Sequence, residues 1–207
     1  MQERTRWTGV DADLVVIDGA GQVPRMVTGL LRAGGRRVRG GIYAAEAAML
    51  ERRAPGLLVL AGDRPIIGRS AREWRDHGVR HLPLVVERFG ATIGPLIEPG
   101  GQPCLECVER FIGSTPRTAA DAAALELRGP ATRLGDDSPL ASLTAALAAI
   151  VVTAAVEQRA PAGVSLEVSW PWPRVVQRVW STQPDCSCAG TGTRGIRPET
   201  AWVTIDP

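Results

Sequence analysis

Four cysteines in two close pairs constrain the fold of this chain more than any other feature. Cys104 and Cys107 form a Cys-x-x-Cys pair, and Cys186 and Cys188 form a Cys-x-Cys pair near the end of the 207-residue chain. Each pair can hold one metal ion from adjacent positions, and two pairs together supply the four thiolates of a tetrahedral zinc site. We therefore predict that the chain folds back to join the two pairs around a structural zinc ion, which keeps no open position for catalysis.

Two other interpretations of the cysteines stay open. Vicinal disulfides or free thiols are one, but a reducing cytosol disfavours disulfides. A redox Cys-x-x-Cys is the other, although such a motif follows an early strand and needs no second pair. The N-terminus is charged and polar where a signal peptide would be apolar. We therefore expect a cytoplasmic protein with reduced cysteines.

Composition excludes several classes of protein. Apolar residues make up 44% of the chain and charged residues 22%, which is typical of a soluble globular domain and not of a disordered or fibrous chain. The formal net charge is only +2, so a strongly basic nucleic-acid binder is not expected. Residues 139–156 are uncharged and about as long as a membrane span. Because they are Ala-rich and lie between Asp136-Asp137 and Glu157, we predict a buried helix and no membrane contact.

Apolar runs alternate with helical patterns in the first half of the chain. Uniformly apolar strands separated by helices are typical of a parallel sheet covered on both faces. Residues 10–90 are therefore predicted to form a Rossmann-like half of an α/β fold. The predicted strands are 14–17, 38–43, 57–60 and 82–86, and the predicted helices are 24–33, 44–53 and an exposed helix at 69–77.

The second half, residues 91–188, has a different pattern. A Gly/Pro-rich crossing loop at 89–103 leads to a helix near the first cysteine pair, and a polar loop at 113–138 precedes the apolar helix. Residues 164–170 and 174–180 alternate apolar with polar around Pro171 to Pro173, which predicts an antiparallel hairpin. We predict a single domain over residues 1–188, followed by a tail at 189–207 whose residues 201–205 favour an edge strand.

A glycine-rich turn follows the first predicted strand. Gly19 and Gly21 lie between Asp18 and Pro24, in a pattern similar to Gly-x-Gly-x-x-Gly with Pro24 at the third glycine position. Such glycines let the backbone approach a pyrophosphate at a helix N-terminus. However, Asp18 would put a negative charge near that phosphate, and residues 37–41 lack the acid that would hold a ribose. A tight strand-to-helix turn without a nucleotide is the alternative.

The cysteine blocks carry a family resemblance. The first reads Ile93-Gly94-Pro95-Leu96, then Pro99-Gly100, then Pro103-Cys104-Leu105-Glu106-Cys107. The second reads Trp180, then Gln183-Pro184-Asp185-Cys186-Ser187-Cys188. Over about residues 12–188 the chain resembles the ThiF-like (ubiquitin-activating-like) superfamily. In particular, it resembles the ThiF-like cyclodehydratase partners and leader-peptide-binding proteins of thiazole- and oxazole-forming ribosomal peptide clusters.

The resemblance implies a candidate nucleotide site. In catalytic ThiF-like enzymes the glycine turn, an arginine and an aspartate bind ATP–Mg²⁺ and adenylate a peptide C-terminal carboxylate. The aspartate corresponds to Asp63 and the arginine to Arg64 or Arg69. The family pattern has Asp-Asn where this chain has Asp63-Arg64. We therefore expect adenylation to be lost and no residue to be catalytic, with an ATP-dependent adenylating enzyme as the alternative.

The resemblance also implies partners. Cyclodehydratase partner proteins bind a precursor's leader peptide and present it to a YcaO-type enzyme that uses ATP to make azoline rings. They do so with an N-terminal winged helix, for which this chain leaves no room before its first strand near Leu14. We therefore expect a non-catalytic partner that binds a precursor peptide or a YcaO-type enzyme. ThiF-like cores often pair two-fold, so a homodimer is also expected.

Three further sets of side chains are assigned structural roles. His77 and His81 are predicted at an exposed helix end or loop. Trp170, Trp172 and Trp180 are predicted to pack together beside the zinc loop, and Asp136-Asp137 to cap the apolar helix.

Overall fold

The computed structural model describes residues 7–63, 68–87, 89–101, 103–114, 139–169 and 172–190. These residues form a mixed, largely parallel sheet of seven strands. The strands are β1 (Gly9–Asp18), β2 (Arg37–Gly41), β3 (Arg53–Gly62), β4 (His81–Glu87), β5 (Gly90–Ile93), β6 (Val164–Ser169) and β7 (Arg174–Val179). The helices are α1 (Gln22–Ala33), α2 (Ala44–Leu50), α3 (Gly68–Asp76), α4 (Leu105–Ser114) and α5 (Pro139–Val156), with a 3-10 turn at Ser187–Gly190.

The strand order in the sheet is β2-β1-β3-β4-β5-β6-β7. The pairs among β1 to β4 are parallel, and the pairs from β4 through β7 are antiparallel. Because β2 and β3 lie on opposite sides of β1, the strand order reverses between β1 and β3. In open α/β sheets, ligands bind at this kind of reversal, beyond the carboxyl ends of the strands. The predicted α/β fold, with a parallel half and a C-terminal hairpin, is confirmed.

Helices cover both faces of the sheet, so the first strands are apolar on both sides. Alternate residues of β1 enter different cores, because successive side chains point to opposite faces. Val15 and Ile17 pack in the core under α1 and α5, whereas Val16 packs in the core under α2 and α3. All three side chains are fully buried. This explains why the first apolar run shows no polar alternation.

Helix α1 begins and ends where the glycines and Pro24 predict. Pro24 lies in its first turn, where a missing N–H leaves no hydrogen bond unmade. At the other end Gly35 has a φ of 78°, which lets the chain leave the helix. The backbone N–H of Gly34 then donates to Leu30 and that of Arg36 to Leu31. These bonds satisfy carbonyls that the helix end would otherwise leave free.

Helix α5 is the one helix in the described part of the chain that is long and apolar enough to cross a membrane. Here it packs against α1 and the sheet. Apart from Leu140, the side chains of its buried face are small, which allows close approach: Ala141, Thr144, Ala145, Ala148, Val152 and Ala155. The opposite face is exposed, with Ile150 64% accessible. The predicted core helix is therefore confirmed for one of its faces.

The structure corrects two details and leaves others untested. The predicted crossing loop at 89–103 contains a strand, β5, which pairs with β4 and β6. Helix α3 is not an exposed helix, because Ala71 and Trp74 are buried. The polar loop at 115–138, with Asp136-Asp137, and the tail at 191–207 lie outside the described residues, as do Arg64 and Trp170. The single domain over 1–188 stays a prediction.

Candidate functional site

The four cysteines form one buried cluster. Their sulfur atoms all lie within 4.8 Å of one another, and every cysteine in the chain belongs to the group. The Sγ atoms of Cys104 and Cys186 are 3.5 Å apart, and those of Cys107 and Cys188 are 3.4 Å apart. Each of these contacts joins a cysteine of the Cys104–Cys107 pair, the first clip, to a cysteine of the Cys186–Cys188 pair, the second clip. None of these distances is near a disulfide bond, which is about 2.05 Å long.

The spacing of the sulfurs matches a tetrahedral ligand set. With metal–sulfur bonds of about 2.3 Å, the sulfurs of a tetrahedral four-thiolate zinc site are about 3.8 Å apart. Within the first clip the Cys104 and Cys107 sulfurs are 3.9 Å apart, and the contacts between clips are slightly shorter. Four thiols with this spacing and burial are consistent with a metal site such as zinc.

Backbone hydrogen bonds close to each cysteine pair hold that pair in position. The start of α4 turns the first clip inward, because the carbonyl of Cys104 accepts hydrogen bonds from the N–H groups of Cys107 and Val108. The second clip turns at Gln183, whose carbonyl accepts from the N–H of Cys186. The Gln183 N–H in turn donates to the Cys107 sulfur at 3.4 Å. This bond joins the two clips directly and orients a candidate ligand, as outer-sphere groups of metal sites do.

The electrostatics of the cluster depend on its charge state. Burial raises the pKa of the Cys188 thiol, and hydrogen bonds with the other three thiols add to the rise. Without a metal the Cys188 thiol therefore holds its proton, and a bound cation must displace it. The guanidinium groups of Arg75 and Arg110 lie near the Cys104 and Cys186 thiols, respectively. Both arginines would stabilise deprotonated sulfurs.

Trp180 links the hairpin to the cysteine cluster. Its indole Nε1–H donates to the Ser165 hydroxyl at 2.9 Å, and both residues are buried. Its ring meets that of Phe111 on α4 edge-on, with centroids 5.6 Å apart. The prediction that tryptophans pack beside the cysteine loop is therefore right for Trp180. It is wrong for Trp172, which is 85% exposed in the hairpin turn.

The predicted position of one histidine is also wrong. His81 is 1% exposed because it opens β4, between β3 and the bridge to Ile97. Its Nδ1 lies 3.0 Å from the Val79 carbonyl, and burial lowers the pKa of its imidazole. His77 is partly exposed at the end of α3, close to its predicted setting.

The glycine turn lies at the reversal of strand order. Gly19 has a φ of 145°, and a Cβ there would meet the Ala61 carbonyl oxygen at 2.4 Å. Only glycine fits this contact, which brings the turn after β1 against the end of β3. Gly21 has a φ of 109° and faces open space at the start of α1. The first turn of α1 contains no acidic residue.

The sequence placed the Asp18 carboxyl group near a bound phosphate, but in the structure this group contacts the start of α2. Its Oδ1 accepts a hydrogen bond of 2.9 Å from the Ala44 N–H at the start of α2. Burial raises the pKa of Asp18, and the nearby Glu46 raises it further, although backbone N–H groups at Ala44, Ala45 and Tyr43 act in the opposite direction. The carboxyl group therefore caps α2. Its role was missed because the two residues are far apart in sequence, although Tyr43, a poor N-cap residue, was a sign that α2 needs a cap from elsewhere.

The other candidate nucleotide residues are only partly brought together. Asp63 follows β3 directly and is exposed, on the same edge of the sheet as Gly19. Arg64 is outside the described residues, and so is the side chain of Arg69. Where a ribose-binding acid would follow β2, the chain has Gly41, then the exposed Ile42 and Tyr43.

Comparisons with known proteins give the fold but no close relative. No protein-family model matches the chain, and no curated protein matches it. Among solved structures, MccB of E. coli superposes with a TM-score of 0.61 at 14% identity, over 91% of this chain and 68% of MccB. The heterocyclase TruD superposes with a TM-score of 0.60 at 18% identity, over 89% of this chain but 28% of TruD.

A further match is the microcin C7 biosynthetic enzyme MccB in complex with N-formylated MccA, with a TM-score of 0.57 at 16% identity. That superposition covers 86% of this chain and 67% of the matched one. This chain therefore spans about two thirds of MccB and about a quarter of TruD. At these identities the likeness concerns the fold. The chain has the ThiF-like fold of MccB and of the heterocyclase TruD, as its two cysteine blocks indicated.

Proposed function

We propose that this chain is a non-catalytic ThiF-like partner in the biosynthesis of ribosomally made, modified peptides. It would bind a precursor peptide, dock onto a YcaO-type cyclodehydratase, or do both, in the cytoplasm. The shared fold with MccB, described in complex with MccA, and with the heterocyclase TruD supports this class of process. The match covers 28% of TruD, and the proposal assigns the ring-forming chemistry to the YcaO-type cyclodehydratase.

One observation carries the non-catalytic part of the proposal. At the carboxyl edge of the sheet, the place of a ribose-binding acid is taken by Gly41, Ile42 and Tyr43. The nearest carboxyl group before the glycine turn, Asp18, is engaged as the cap of α2. Among the described residues that directly follow β1, β2 and β3, Asp63 is therefore the one exposed acid. A nucleotide would find few of its usual contacts there.

We also propose that the cysteine cluster holds structural zinc. Four thiolates in tetrahedral array are the ligand set that zinc prefers for structural sites, and they leave no position for substrate. The metal would join the start of α4 to the segment that follows β7. It would thus fix the C-terminal part of the chain to the sheet, and its binding free energy would contribute to folding.

Association with the two proposed partners tests the first proposal. The full chain is titrated calorimetrically with candidate precursor peptides and with a candidate YcaO-type enzyme, and ring formation is followed by mass spectrometry. We expect binding to at least one partner, faster ring formation when the chain is added, and no modification by the chain alone. Binding to neither partner, together with no effect on ring formation, would rule the proposal out.

Adenylation of a carboxylate is a second candidate, and one observation favours it. Because Asp18 is turned to α2, the start of α1 is free of the acidic side chain that would repel a phosphate. Gly19 also brings the turn close to β3, which ends at the exposed Asp63. In this case Asp63 would hold the Mg²⁺ of ATP–Mg²⁺ beside the glycine turn.

Exchange of labelled pyrophosphate into ATP separates the two candidates. An adenylating enzyme catalyses exchange in the presence of its carboxylate substrate, and Asp63→Ala should abolish it. Asp76→Ala, at the end of α3 on the surface, is the matched control. We expect no exchange with candidate peptides. Exchange that depends on Asp63 and survives in the control would establish the adenylating function instead.

A further inference from the structure

A small cavity lies against Cys104, the first of the four cysteines. Its walls come from α3, from the start of β4, from Ile97 and from the turn that leads into α4. Its volume is about 10 Å³, which is room for about one water molecule. Cys104 and His81 both line it, and they are only 2% and 1% exposed. The cavity therefore connects a candidate metal ligand with a buried histidine to which the proposed function gives no role.

One ring nitrogen of His81 needs a hydrogen-bond donor. The Nδ1 atom lies 3.0 Å from the Val79 carbonyl, which can only accept, so Nδ1 carries the ring proton. The Nε2 atom then holds a lone pair, because a second proton would place a positive charge in a buried wall that Arg75 also lines. In the described part of the chain, no residue donates a hydrogen bond to this Nε2 atom. Buried acceptors in proteins are normally paired, which leaves the cavity as the place for a donor.

The cavity brings this acceptor together with a donor and a second acceptor. Arg75 lines the cavity, and its guanidinium lies near the Cys104 thiol. Arginine only donates hydrogen bonds, whereas a deprotonated cysteine sulfur accepts them. The other arginine of the lining, Arg72, is paired with Glu106 at 3.2 Å. One water molecule can therefore donate to His81 and to Cys104 and accept from Arg75. Three hydrogen bonds are typical of a water molecule buried in a protein.

We propose that this cavity binds one water molecule, which donates hydrogen bonds to the His81 Nε2 atom and to the Cys104 sulfur and accepts one from Arg75. His81 is then a positioning residue of the metal site, because it orients the water that stabilises a metal-bound thiolate. The inference rests on the proposed zinc site, since the thiolate form of Cys104 is the form that a metal binds. Groups just outside the ligands of a metal typically contribute about tenfold to hundredfold to its affinity.

The other cysteine of the same pair supports this assignment. Cys107 accepts a hydrogen bond of 3.4 Å from the Gln183 N–H, so a group outside the four sulfurs orients its sulfur. Cys104 borders the cavity instead. The water would give Cys104 the kind of donor that the backbone gives Cys107, because a bridging water is nearly as favourable as a direct hydrogen bond. The two sulfurs of the first clip would then be oriented by one direct and one water-mediated contact.

Neither a metal ion nor an anion fits the cavity as well as water does. His81 is outside the group of described side chains whose ligand atoms lie within 4.8 Å of one another, and that group already supplies the four thiolates of a tetrahedral site. An anion would be attracted to Arg75, but it would also face the lone pair of the His81 Nε2 atom and the Cys104 thiolate. Water can donate to both of these acceptors, which an anion cannot do.

The metal affinity of the full chain tests the role of His81. Dissociation constants for Zn²⁺ and Co²⁺ are measured by competition with a chelator of known affinity. His81→Phe keeps a flat ring of similar size and removes the acceptor for the water, so it should weaken the binding of both ions by about tenfold. His81→Gln keeps a side-chain oxygen acceptor and should bind both ions nearly as tightly as the parent. His77→Phe, the same substitution at the partly exposed histidine that follows α3, is the matched control and should leave both constants unchanged.

The absorption spectrum of the Co²⁺ form separates a positioning role from a loss of stability. A thiolate that loses a hydrogen bond becomes a better electron donor, so its sulfur-to-cobalt charge-transfer band moves to longer wavelength. We expect this shift in His81→Phe, and we expect the parent's spectrum in His81→Gln and in His77→Phe. A crystal structure of the zinc-loaded parent should also show one water within hydrogen-bonding distance of the His81 Nε2 atom and the Cys104 sulfur, and it decides the question even where His81→Phe does not fold.

The possible failures of the inference and of the zinc site are distinguishable. If the parent binds zinc and His81→Phe keeps its affinity and its spectrum, the inference is overturned and the proposed zinc site stands. If the parent binds neither ion, both are overturned. An anion in the cavity, or a cavity without a water in the zinc-loaded crystal structure, overturns the inference alone.

Discussion

The Asp18 Oδ1 atom accepts a hydrogen bond of 2.9 Å from the backbone N–H of Ala44. This contact ties the carboxyl end of β1 to the start of α2, which follows β2. It also directs the carboxyl group away from the glycine turn that follows it in sequence. A residue that the sequence placed against a phosphate therefore acts as a helix cap.

Removing this cap should cost a modest amount of stability. Asp18→Ala leaves the first N–H groups of α2 without their acceptor, which typically costs about 1 kcal/mol of unfolding free energy. Asp18→Asn keeps an oxygen acceptor and should be tolerated. Urea unfolding of the three proteins at pH 7 measures the difference. An Asp18→Ala variant as stable as the parent would show that the contact carries no free energy.

The ionisation of Asp18 gives a pH-dependent prediction. Burial and the nearby Glu46 raise the pKa of Asp18 in the folded state above its ordinary value. The folded state therefore favours the protonated acid. Its contribution to stability is present below the unfolded-state pKa and is lost as pH rises through the raised folded-state pKa. Because the amide introduced by Asp18→Asn cannot ionise, that variant should gain stability relative to the parent as pH rises from about 3 to neutrality.

Denaturant unfolding at several pH values across this range measures whether the stability of Asp18→Asn rises relative to that of the parent. Asp63→Asn is the matched control, since Asp63 is exposed at the same edge of the sheet. A relative stability of Asp18→Asn that falls with rising pH would mean that the backbone N–H groups outweigh burial at this site.

Substitution of one cysteine should abolish metal binding and unfold the segments that carry the two cysteine pairs. We expect about one metal ion per chain by elemental analysis, and much less in Cys104→Ser. Structural zinc contributes roughly 10–16 kcal/mol of binding free energy in small zinc peptides. The variant should therefore lose several kcal/mol of stability, as chelation of the parent should.

Ser187→Ala is the control for this experiment, because Ser187 is exposed between Cys186 and Cys188. It should keep the metal and the parent's thermal stability. Metal affinity should fall as pH drops, since protons compete for the thiolates. Full metal content in Cys104→Ser would place the ion elsewhere.

The Trp180–Ser165 hydrogen bond should be measurable by a double-mutant cycle. Ser165→Ala leaves the buried indole N–H without an acceptor, which costs about 1–3 kcal/mol. Trp180→Phe removes the donor and leaves the Ser165 hydroxyl unpaired. The double variant should be more stable than the sum of the single losses predicts, by about 1 kcal/mol. Additive losses would mean that the two side chains do not interact in solution.

The two glycines of the turn should differ in their tolerance of a side chain. Both have positive φ values, so alanine strains the backbone at either position. At Gly19 the new Cβ would also meet the Ala61 carbonyl oxygen at 2.4 Å, whereas at Gly21 it meets nothing within 4 Å. Gly19→Ala should therefore lose clearly more unfolding free energy than Gly21→Ala. Equal losses would show that the turn moves away from β3 without cost.

Local patterns in the sequence were sufficient for most elements of the fold. The apolar run at 14–17 predicted the buried centre of β1, and Pro24 with Gly34-Gly35 predicted the limits of α1. The alternation at 164–170 and 174–180 predicted the β6–β7 hairpin. These features depend on periodicity and on the backbone preferences of glycine and proline, which act over a few residues.

The cysteine cluster is the one long-range feature that the sequence also determined. Two close cysteine pairs, with no other cysteine in the chain, have few chemical roles open to them, and one of these roles is to bind a metal ion together. The structure brings the four sulfurs within 4.8 Å of one another. Ligand chemistry is specific enough here to predict a contact between residues that are far apart in the chain.

Only the tertiary structure decided which neighbours the polar and aromatic side chains meet. Asp18 caps α2, His81 is buried at the start of β4, and Trp172 is exposed while Trp180 packs against α4. Residue type fixes what a side chain can bond to, but its burial and partner depend on strand order and on helices from other parts of the chain. The position of β7 at the edge of the sheet has the same origin, because an edge strand and an interior strand share one local pattern and differ in what lies beside them.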